Sequence, residues 1–169
     1  MQSMQSMRAD RRAAADALEA RGLAAGSDAE RMVLTLTVAG QLCGVPVLSV
    51  RDVLGVQAIT RIPLAPPEVA GSLNLRGRIV TAVDLRARLG LPAREDARGA
   101  MSVVVEVGGE LYSLLADEVG EVLSLAEADR AANPPTLDAR WREVSLGVHR
   151  LGRQLLVIFD VEQLLALSA

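Results

Sequence analysis

The sequence predicts an all-β protein that contains two similar units and a short N-terminal extension. Short apolar or alternating runs recur about every ten residues and are separated by glycine-containing turns, a pattern typical of β-barrels and β-sandwiches. Half of the 169 residues are hydrophobic, which is ample for a core and excludes a chain that is intrinsically disordered as a whole. The spacing of apolar residues also repeats once along the chain, and this repeat indicates the two units.

The first 31 residues differ from the rest of the chain. Residues 8–21 are rich in alanine with interspersed charges, and Gly22 and Gly26 follow as natural helix stops. We predict that residues 1–31 form an N-terminal extension, helical or disordered, that packs little because its apolar side is mostly alanine.

The globular part begins at residue 32 with strand-like runs. Alternation in Met32–Val38 predicts a first strand, and residues 43–48 predict a second, with Pro46 at an edge or bulge because proline has no N–H for a ladder. Gly108 and Gly109 lie between two apolar runs and predict a tight hairpin turn. The other predicted strands cover residues 79–83, 102–107, 110–115, 119–125 and 154–159.

Two short helices are predicted within the globular part, at residues 84–89 and 161–167. Asp84 and Asp160 stand at their starts, where an aspartate side chain caps the first turn. A carboxylate pair could also perform acid–base chemistry, but capping explains both residues at once. We therefore interpret Asp84 and Asp160 as N-caps.

An internal repeat supports two related units. Five apolar residues of the first half share their spacing with five of the second half at an offset of 69 residues: Val45, Val47, Val50, Val53 and Leu54 against Leu114, Ala116, Val119, Val122 and Leu123. A second echo relates residues 77–85 to residues 152–161, and each copy starts with Gly-Arg. Two echoes in the same order indicate two similar β units, divided by the polar segment 91–99.

Composition excludes several function classes. Aromatic residues make up only 2%, so base stacking is not a main activity, and a net charge of −3 disfavours a nucleic-acid partner. Cys43 and His149 are the only residues of their types, too few for a Cys/His zinc site or a disulfide. No apolar run reaches the roughly 18 residues of a membrane span, and no signal peptide is recognisable. We expect a cytoplasmic protein with no metal, no cofactor and no direct membrane insertion.

Motifs of catalysis are missing from the sequence. It contains no phosphate-binding loop, no His-Glu-x-x-His and no Gly-x-Ser-x-Gly. Cys43 is predicted to be a buried, inert thiol, and His149 is predicted to lie exposed in a hairpin bend. We predict no catalytic residues, although an enzyme with a small-molecule pocket between the units stays open as an alternative.

The segment Gly71-Ser-Leu-Asn-Leu-Arg-Gly77, followed by a hydrophobic strand and Asp84-Leu-Arg86, resembles the signature of the CheW family of chemotaxis coupling proteins. Upstream, Val50-Arg-Asp-Val53 is similar to the family's Val-x-Glu-Val. Downstream, residues 116–123 are similar to its Val-Asp-x-Val-x-Glu-Val-Leu. The resemblance runs from about residue 33 to residue 167, and the order of its elements is specific.

The resemblance implies a fold of two intertwined five-stranded barrels, similar to SH3 domains, packed around a shared hydrophobic core. Within a CheW-like domain of residues 32–169, we expect a first barrel at about 32–90, a second at about 100–160 and the terminal helix at 161–167. It also implies a non-enzymatic scaffold or adaptor in chemotaxis signal transduction. Its partners would be the cytoplasmic tip of methyl-accepting chemoreceptors and the regulatory domain of a histidine kinase, in receptor arrays at the membrane. An adaptor of another chemosensory pathway, for pilus motility or a second messenger, is the alternative.

The resemblance also implies binding residues. For the receptor and kinase they are Val50, Asp52, Val53, Gly71, Asn74, Arg76 and Gly77, with Asp52 and Arg76 expected to form an ion pair. For the second barrel we expect apolar residues at an interface, or buried in the core as the alternative: Val103, Val105 and Leu123.

The chain departs from the family pattern at a few positions. Aspartate stands at residue 52, where relatives often have glutamate, and Arg78 occupies the turn before the hydrophobic strand. Aliphatic residues and a cysteine replace aromatic residues in the first hairpin, at Leu34, Leu36 and Cys43. These changes bear on the identity of the partners more than on the fold.

Overall fold

A computed structural model describes residues 32–94 and 99–167. The predicted N-terminal extension, residues 1–31, lies outside the described residues, as do residues 95–98 of the predicted linker. The described part confirms the all-β class. Its strands are β1 (Met32–Val38), β2 (Gln41–Pro46), β3 (Val50–Leu54), β4 (Val69–Leu75), β5 (Arg78–Asp84), β6 (Met101–Val107), β7 (Glu110–Ala116), β8 (Glu118–Ser124), β9 (Arg130–Ala131), β10 (Ser145–Leu151) and β11 (Gln154–Phe159).

Three short helices lie between or after these strands: α1 (Leu85–Arg88), α2 (Ala139–Glu143) and α3 (Val161–Leu164). The predicted N-caps are confirmed, because Asp84 accepts a hydrogen bond from the N–H of Arg86 and Asp160 accepts one from Gln163. Helix α2 was not predicted. It carries Trp141, whose ring stacks on Phe159 with a centroid distance of 6.0 Å.

The strands form two sheets. Sheet I has the order β8-β1-β2-β11-β10-β9, and sheet II has the order β3-β6-β7-β5-β4. Strand pairing runs across the expected division into residues 32–90 and 100–160: β8 pairs with β1, and β3 pairs with β6. Only the 3₁₀ turn Val47–Ser49 separates β2 from β3, and only Asp117 separates β7 from β8. At both places the chain bends across to the other sheet instead of reversing in a hairpin, so the two units exchange strands.

The hydrophobic core has three parts. A central cluster draws residues from both sheets, such as Leu36 of sheet I and Leu114 of sheet II, and it is the shared core that the resemblance implied. Each sheet also encloses a smaller cluster of its own. Successive side chains of β11 point to different clusters, because Val157 faces the central cluster and Leu156 faces the cluster of sheet I.

Three local predictions have different outcomes. Cys43 is buried as predicted, and burial raises the pKa of its thiol, which keeps it protonated and inert. Pro46 ends β2, which is an interior strand and not an edge, at a point beyond the residues that pair with β11. The prediction for His149 is wrong, because this residue lies within β10 and is only 5% exposed. Gly147 and Gly152 suggested a bend, but the residues between them continue the strand.

Candidate functional site

The predicted binding residues gather along β3 and the β4–β5 hairpin, at the two edges of sheet II. The Arg76 Nη2 atom lies 3.6 Å from the Asp52 Oδ2 atom, so the expected ion pair is present. Since Asp52 belongs to one edge strand and Arg76 follows the other, the pair shows that the sheet curls until its ends meet. The Arg76 side chain is 83% exposed, and such a pair contributes roughly 0–1 kcal/mol to stability.

The Asn-Leu-Arg-Gly sequence builds the turn that presents Arg76. Asn74 Oδ1 accepts a hydrogen bond of 2.9 Å from the N–H of Gly77 and so closes the turn. Both central residues have positive φ angles, 52° at Arg76 and 84° at Gly77. A left-handed conformation costs a non-glycine residue on the order of 1 kcal/mol, so the fold accepts strain at Arg76 to place its side chain in solvent.

Gly71 acts through the backbone. It has a φ of 152°, and a Cβ atom there would lie 2.2 Å from the carbonyl oxygen of Thr60. Thr60 and Ser72 exchange two backbone hydrogen bonds of 2.8 Å, which attach the preceding loop to the edge of β4. Glycine at position 71 therefore lets this loop cover an otherwise open sheet edge.

The apolar residues of the predicted site lie mostly inside the molecule. Val50 and Val53 are buried in the central cluster, so they support β3 from below and their side chains do not reach a partner. Val103 and Val105 are buried, which is the alternative given above for the residues of the second barrel. Leu123 is half-buried in β8, the terminal strand of sheet I, and packs against the cluster of that sheet.

An exposed surface that combines charge and apolar groups surrounds Arg76. We call Asn74, Arg76, Arg78 and Ile79 the hairpin surface; all four are exposed, and Ile79 is 71% accessible. Asn74 and Ile79 face each other across the β4–β5 ladder. The sequence predicted the arginine of this surface but not the exposed isoleucine, because a strand pattern alone does not show which end of an apolar face leaves the core.

An acidic groove of about 290 Å³ lies between the sheets, among the end of β6, the turn after β2 and the start of α3. Its lining includes Leu146 and Phe159 together with the carboxylates of Glu106, Asp160 and Glu162. On its rim Glu106 pairs with Arg51 at 2.7 Å. The groove and the hairpin surface therefore differ in charge, acidic in the first and basic in the second.

A charge network is centred on Asp117, for which no role was predicted beyond the family resemblance of residues 116–123. Arg86 and Arg94 lie 2.8 Å and 3.0 Å from its carboxylate, and the N–H of Ala39 donates to it at 2.7 Å. Desolvation raises the pKa of Asp117, but these donors outweigh it and hold the pKa below its ordinary value. The network connects three segments to the crossing between β7 and β8. These segments are the β1–β2 turn, α1 and the residues that follow α1.

Within residues 32–94 and 99–167, no group of three or more His, Cys, Asp or Glu side chains is placed to hold a metal ion. None of the helices in these ranges combines the length and apolar character needed to cross a membrane.

Comparison with known proteins gives consistent matches. A model of the CheW-like domain family matches residues 32–169. The chain is 28% identical over 142 residues to the chemotaxis protein CheW of Klebsiella aerogenes, covering 84% of this chain and 86% of that protein. It is also 28% identical over 132 residues to the chemotaxis protein CheW of Rhizobium meliloti, covering 78% and 85%. The crystal structure of the scaffolding protein TtCheW from Thermoanaerobacter tengcongensis matches with a TM-score of 0.71 at 26% identity, over 80% of this chain and 87% of that one.

Proposed function

The chain belongs to the CheW-like domain family, and on this premise we propose that it is a scaffold that couples chemoreceptors to a chemotaxis histidine kinase. Its partners are the cytoplasmic tip of a methyl-accepting chemoreceptor and the regulatory domain of the kinase. It works in the cytoplasm, recruited to receptor arrays at the membrane.

One observation carries this proposal. The residues of the family signature, Asn74 to Gly77, form a strained, exposed turn whose arginine pairs with Asp52. The left-handed backbone at Arg76 costs on the order of 1 kcal/mol, and the exposed ion pair with Asp52 contributes only roughly 0–1 kcal/mol. A turn of this kind is suited to docking, where the arginine is presented before the partner arrives.

Receptor and kinase require separate surfaces. We assign the receptor to the hairpin surface with Asp52, at the edges of sheet II. The kinase contact belongs to sheet I, where β8 is a terminal strand and carries Leu123 half-exposed. Val50 and Val53 take part by fixing the position of β3.

The proposed function is not enzymatic. The side chains with the chemistry for catalysis are engaged elsewhere, since Asp84 and Asp160 cap helices and Cys43 is a buried thiol with a raised pKa. His149 is buried in a strand, away from the acidic groove.

The test is binding of both partners at once. The full chain is immobilised and exposed to the receptor cytoplasmic fragment, then to the kinase regulatory domain, with biolayer interferometry as the readout. We expect each partner to bind and the second signal to add to the first. Failure of both partners to bind, or mutual exclusion of the two, would overturn the proposal.

A further inference from the structure

The two halves of the chain share the same strand register. In the first half Val33 pairs with Pro46, and in the second half Ser102 pairs with Leu115, at an offset of 69 residues. The hairpins β4–β5 and β10–β11 correspond at an offset of 76 residues, and so do the helices α1 and α3 that follow them. The same offsets relate the parallel pair β5–β7 to the parallel pair β11–β2. A place in one half therefore has a definite counterpart in the other.

One such place, beside the start of α1, is filled by the side chain of Arg94. Its Nε atom lies 3.0 Å from Asp117 Oδ1, and its Nη2 atom lies 3.7 Å from Asp84 Oδ1. Arg86 holds the segment that carries it, by donating to the carbonyl oxygen of Pro92 at 3.2 Å. Only 10% of the Arg94 side chain is exposed. The chain thus shows which group fits beside this helix, an arginine on a loop segment.

The counterpart of the Arg94 site, beside the start of α3, is the acidic groove. Asp160 corresponds to Asp84 and caps α3 as Asp84 caps α1. Glu162 corresponds to Arg86, and both Asp160 and Glu162 line the groove. No arginine of the described residues lines it, and a space of about 290 Å³ stays open where the other half holds Arg94.

The two sites differ in their balance of charge. Around Arg94, two arginines face two aspartates. The groove has three carboxylates, those of Glu106, Asp160 and Glu162, and a single arginine at its rim, Arg51, which pairs with Glu106. Among the described residues, neither Asp160 nor Glu162 forms an ion pair. The groove therefore attracts a cationic group.

We propose that the acidic groove binds a loop segment of a partner protein through an arginine of that segment. The guanidinium lies beside Asp160 and Glu162, and the rest of the segment packs on Leu146 and Phe159. Arginine suits this place because it bonds carboxylates through parallel hydrogen bonds and stacks on aromatic rings. The proposal goes beyond the scaffold function, since the groove shares no lining residue with the hairpin surface.

The experiment titrates the full chain with a peptide that copies the segment of Arg94, residues 89–94, acetylated at its start and amidated at its end. Trp141 fluorescence is the readout, because its ring stacks on Phe159, which lines the groove. The control peptide has citrulline, an uncharged isostere, in place of the arginine. We expect saturable binding of the arginine peptide and an affinity at least about threefold lower for the citrulline peptide.

Two variants locate the binding. Glu162→Arg changes the groove, and Glu121→Arg, at an exposed glutamate of β8, is the matched control. Glu162→Arg should weaken the affinity for the arginine peptide about tenfold or more, whereas Glu121→Arg should stay within about twofold of the wild type. Both variants should melt within about 3 °C of the wild type, because each replaces an exposed side chain.

Several results would overturn the proposal. They are the absence of saturable binding to the wild type, equal affinities for the two peptides, and wild-type affinity in Glu162→Arg. A gain in peptide affinity when Arg8, Arg11 and Arg12 are together changed to glutamine would assign the groove to the chain's own N-terminal segment and overturn it as well. Each of these results leaves the scaffold function standing, since that function is measured with receptor and kinase fragments.

Discussion

Arg76 combines a left-handed backbone with a side chain that is almost fully in solvent, so its effect on stability and its effect on binding can be separated. We expect Asp52→Arg and Arg76→Asp each to leave the melting temperature nearly unchanged, because an exposed pair contributes roughly 0–1 kcal/mol. Each variant should weaken receptor-coupled kinase activation, and the double swap should restore part of it. Arg153→Asp serves as the control at the other hairpin. Full coupling by both single variants would show that this surface is not the receptor contact.

His149 predicts a pH dependence of stability. Desolvation is the largest cause that lowers its pKa, the nearby Arg130 lowers the pKa further, and Asp129 opposes the change. The Nδ1 atom of His149 has no hydrogen-bond partner among the described residues. Because the folded pKa is below the ordinary value of 6.5, the unfolded chain binds the proton more readily. Stability is therefore fully present above pH 6.5 and falls as the pH drops through that value.

Urea unfolding at about pH 8 and about pH 5.5 measures this effect. The wild type should lose more stability between the two conditions than His149→Gln, which does not titrate there. Equal losses in the two proteins would assign the pH dependence to other groups.

Single residues were predictable where their role is local. A cap such as Asp84 depends on the helix that follows it in sequence, and the burial of Cys43 follows from the apolar run around it. His149 and Asp117 depend on neighbours far along the chain, Arg130 for one and Arg86 for the other. The sequence pattern near each of them contained no sign of those neighbours.

Strands and helices were predicted correctly where their apolar residues repeat with a clear period. β1 and β11 begin and end as predicted, and the Gly108–Gly109 turn joins β6 to β7 as expected. β4 and β10 were not predicted as strands because glycines interrupt them and polar residues weaken their alternation. Helix α2 has five residues, too few to establish a helical period.

The Asp117 network gives a prediction for how the elements are held together. Its carboxylate is 18% exposed and serves three donors from separate segments. Asp117→Ala should destabilise the protein by about 1–3 kcal/mol, since the donors lose their acceptor while partly buried. Because the pKa of Asp117 is lowered, this stability is present above its ordinary value of 3.8 and is lost as the pH falls below it.

Chemical denaturation of Asp117→Ala and of its neighbour Glu118→Ala tests this role. Glu118 is exposed, and its substitution should change the free energy of unfolding by less than about 0.5 kcal/mol. A similarly small change in the free energy of unfolding of Asp117→Ala would show that the network does not stabilise the fold.

For the whole molecule, strand exchange predicts that the two units unfold together. β8 completes sheet I and β3 completes sheet II, so neither half of the chain contains a full sheet. The only tryptophan, Trp141, lies in the central cluster and reports on the shared core. Its fluorescence and the far-UV circular dichroism should follow one coincident transition in urea. Two separated transitions would indicate independent barrels.

The repeat predicted two units, but it did not predict their exchange of strands. Alternation shows which residues of a strand face a core. It does not show which strand lies alongside. That choice is made by the short crossings at Val47–Ser49 and Asp117 and by the burial of both units against one cluster.

Reconstituted phosphorylation is the direct test of whether this chain couples receptor and kinase. The kinase, the receptor cytoplasmic fragment and the full chain are combined, and the rate of kinase autophosphorylation is recorded with each component left out in turn. The account predicts that the receptor stimulates the kinase only when the chain is present, and that Asp52→Arg lowers this stimulation while binding to the kinase regulatory domain is kept. A receptor effect of the same size without the chain would contradict it.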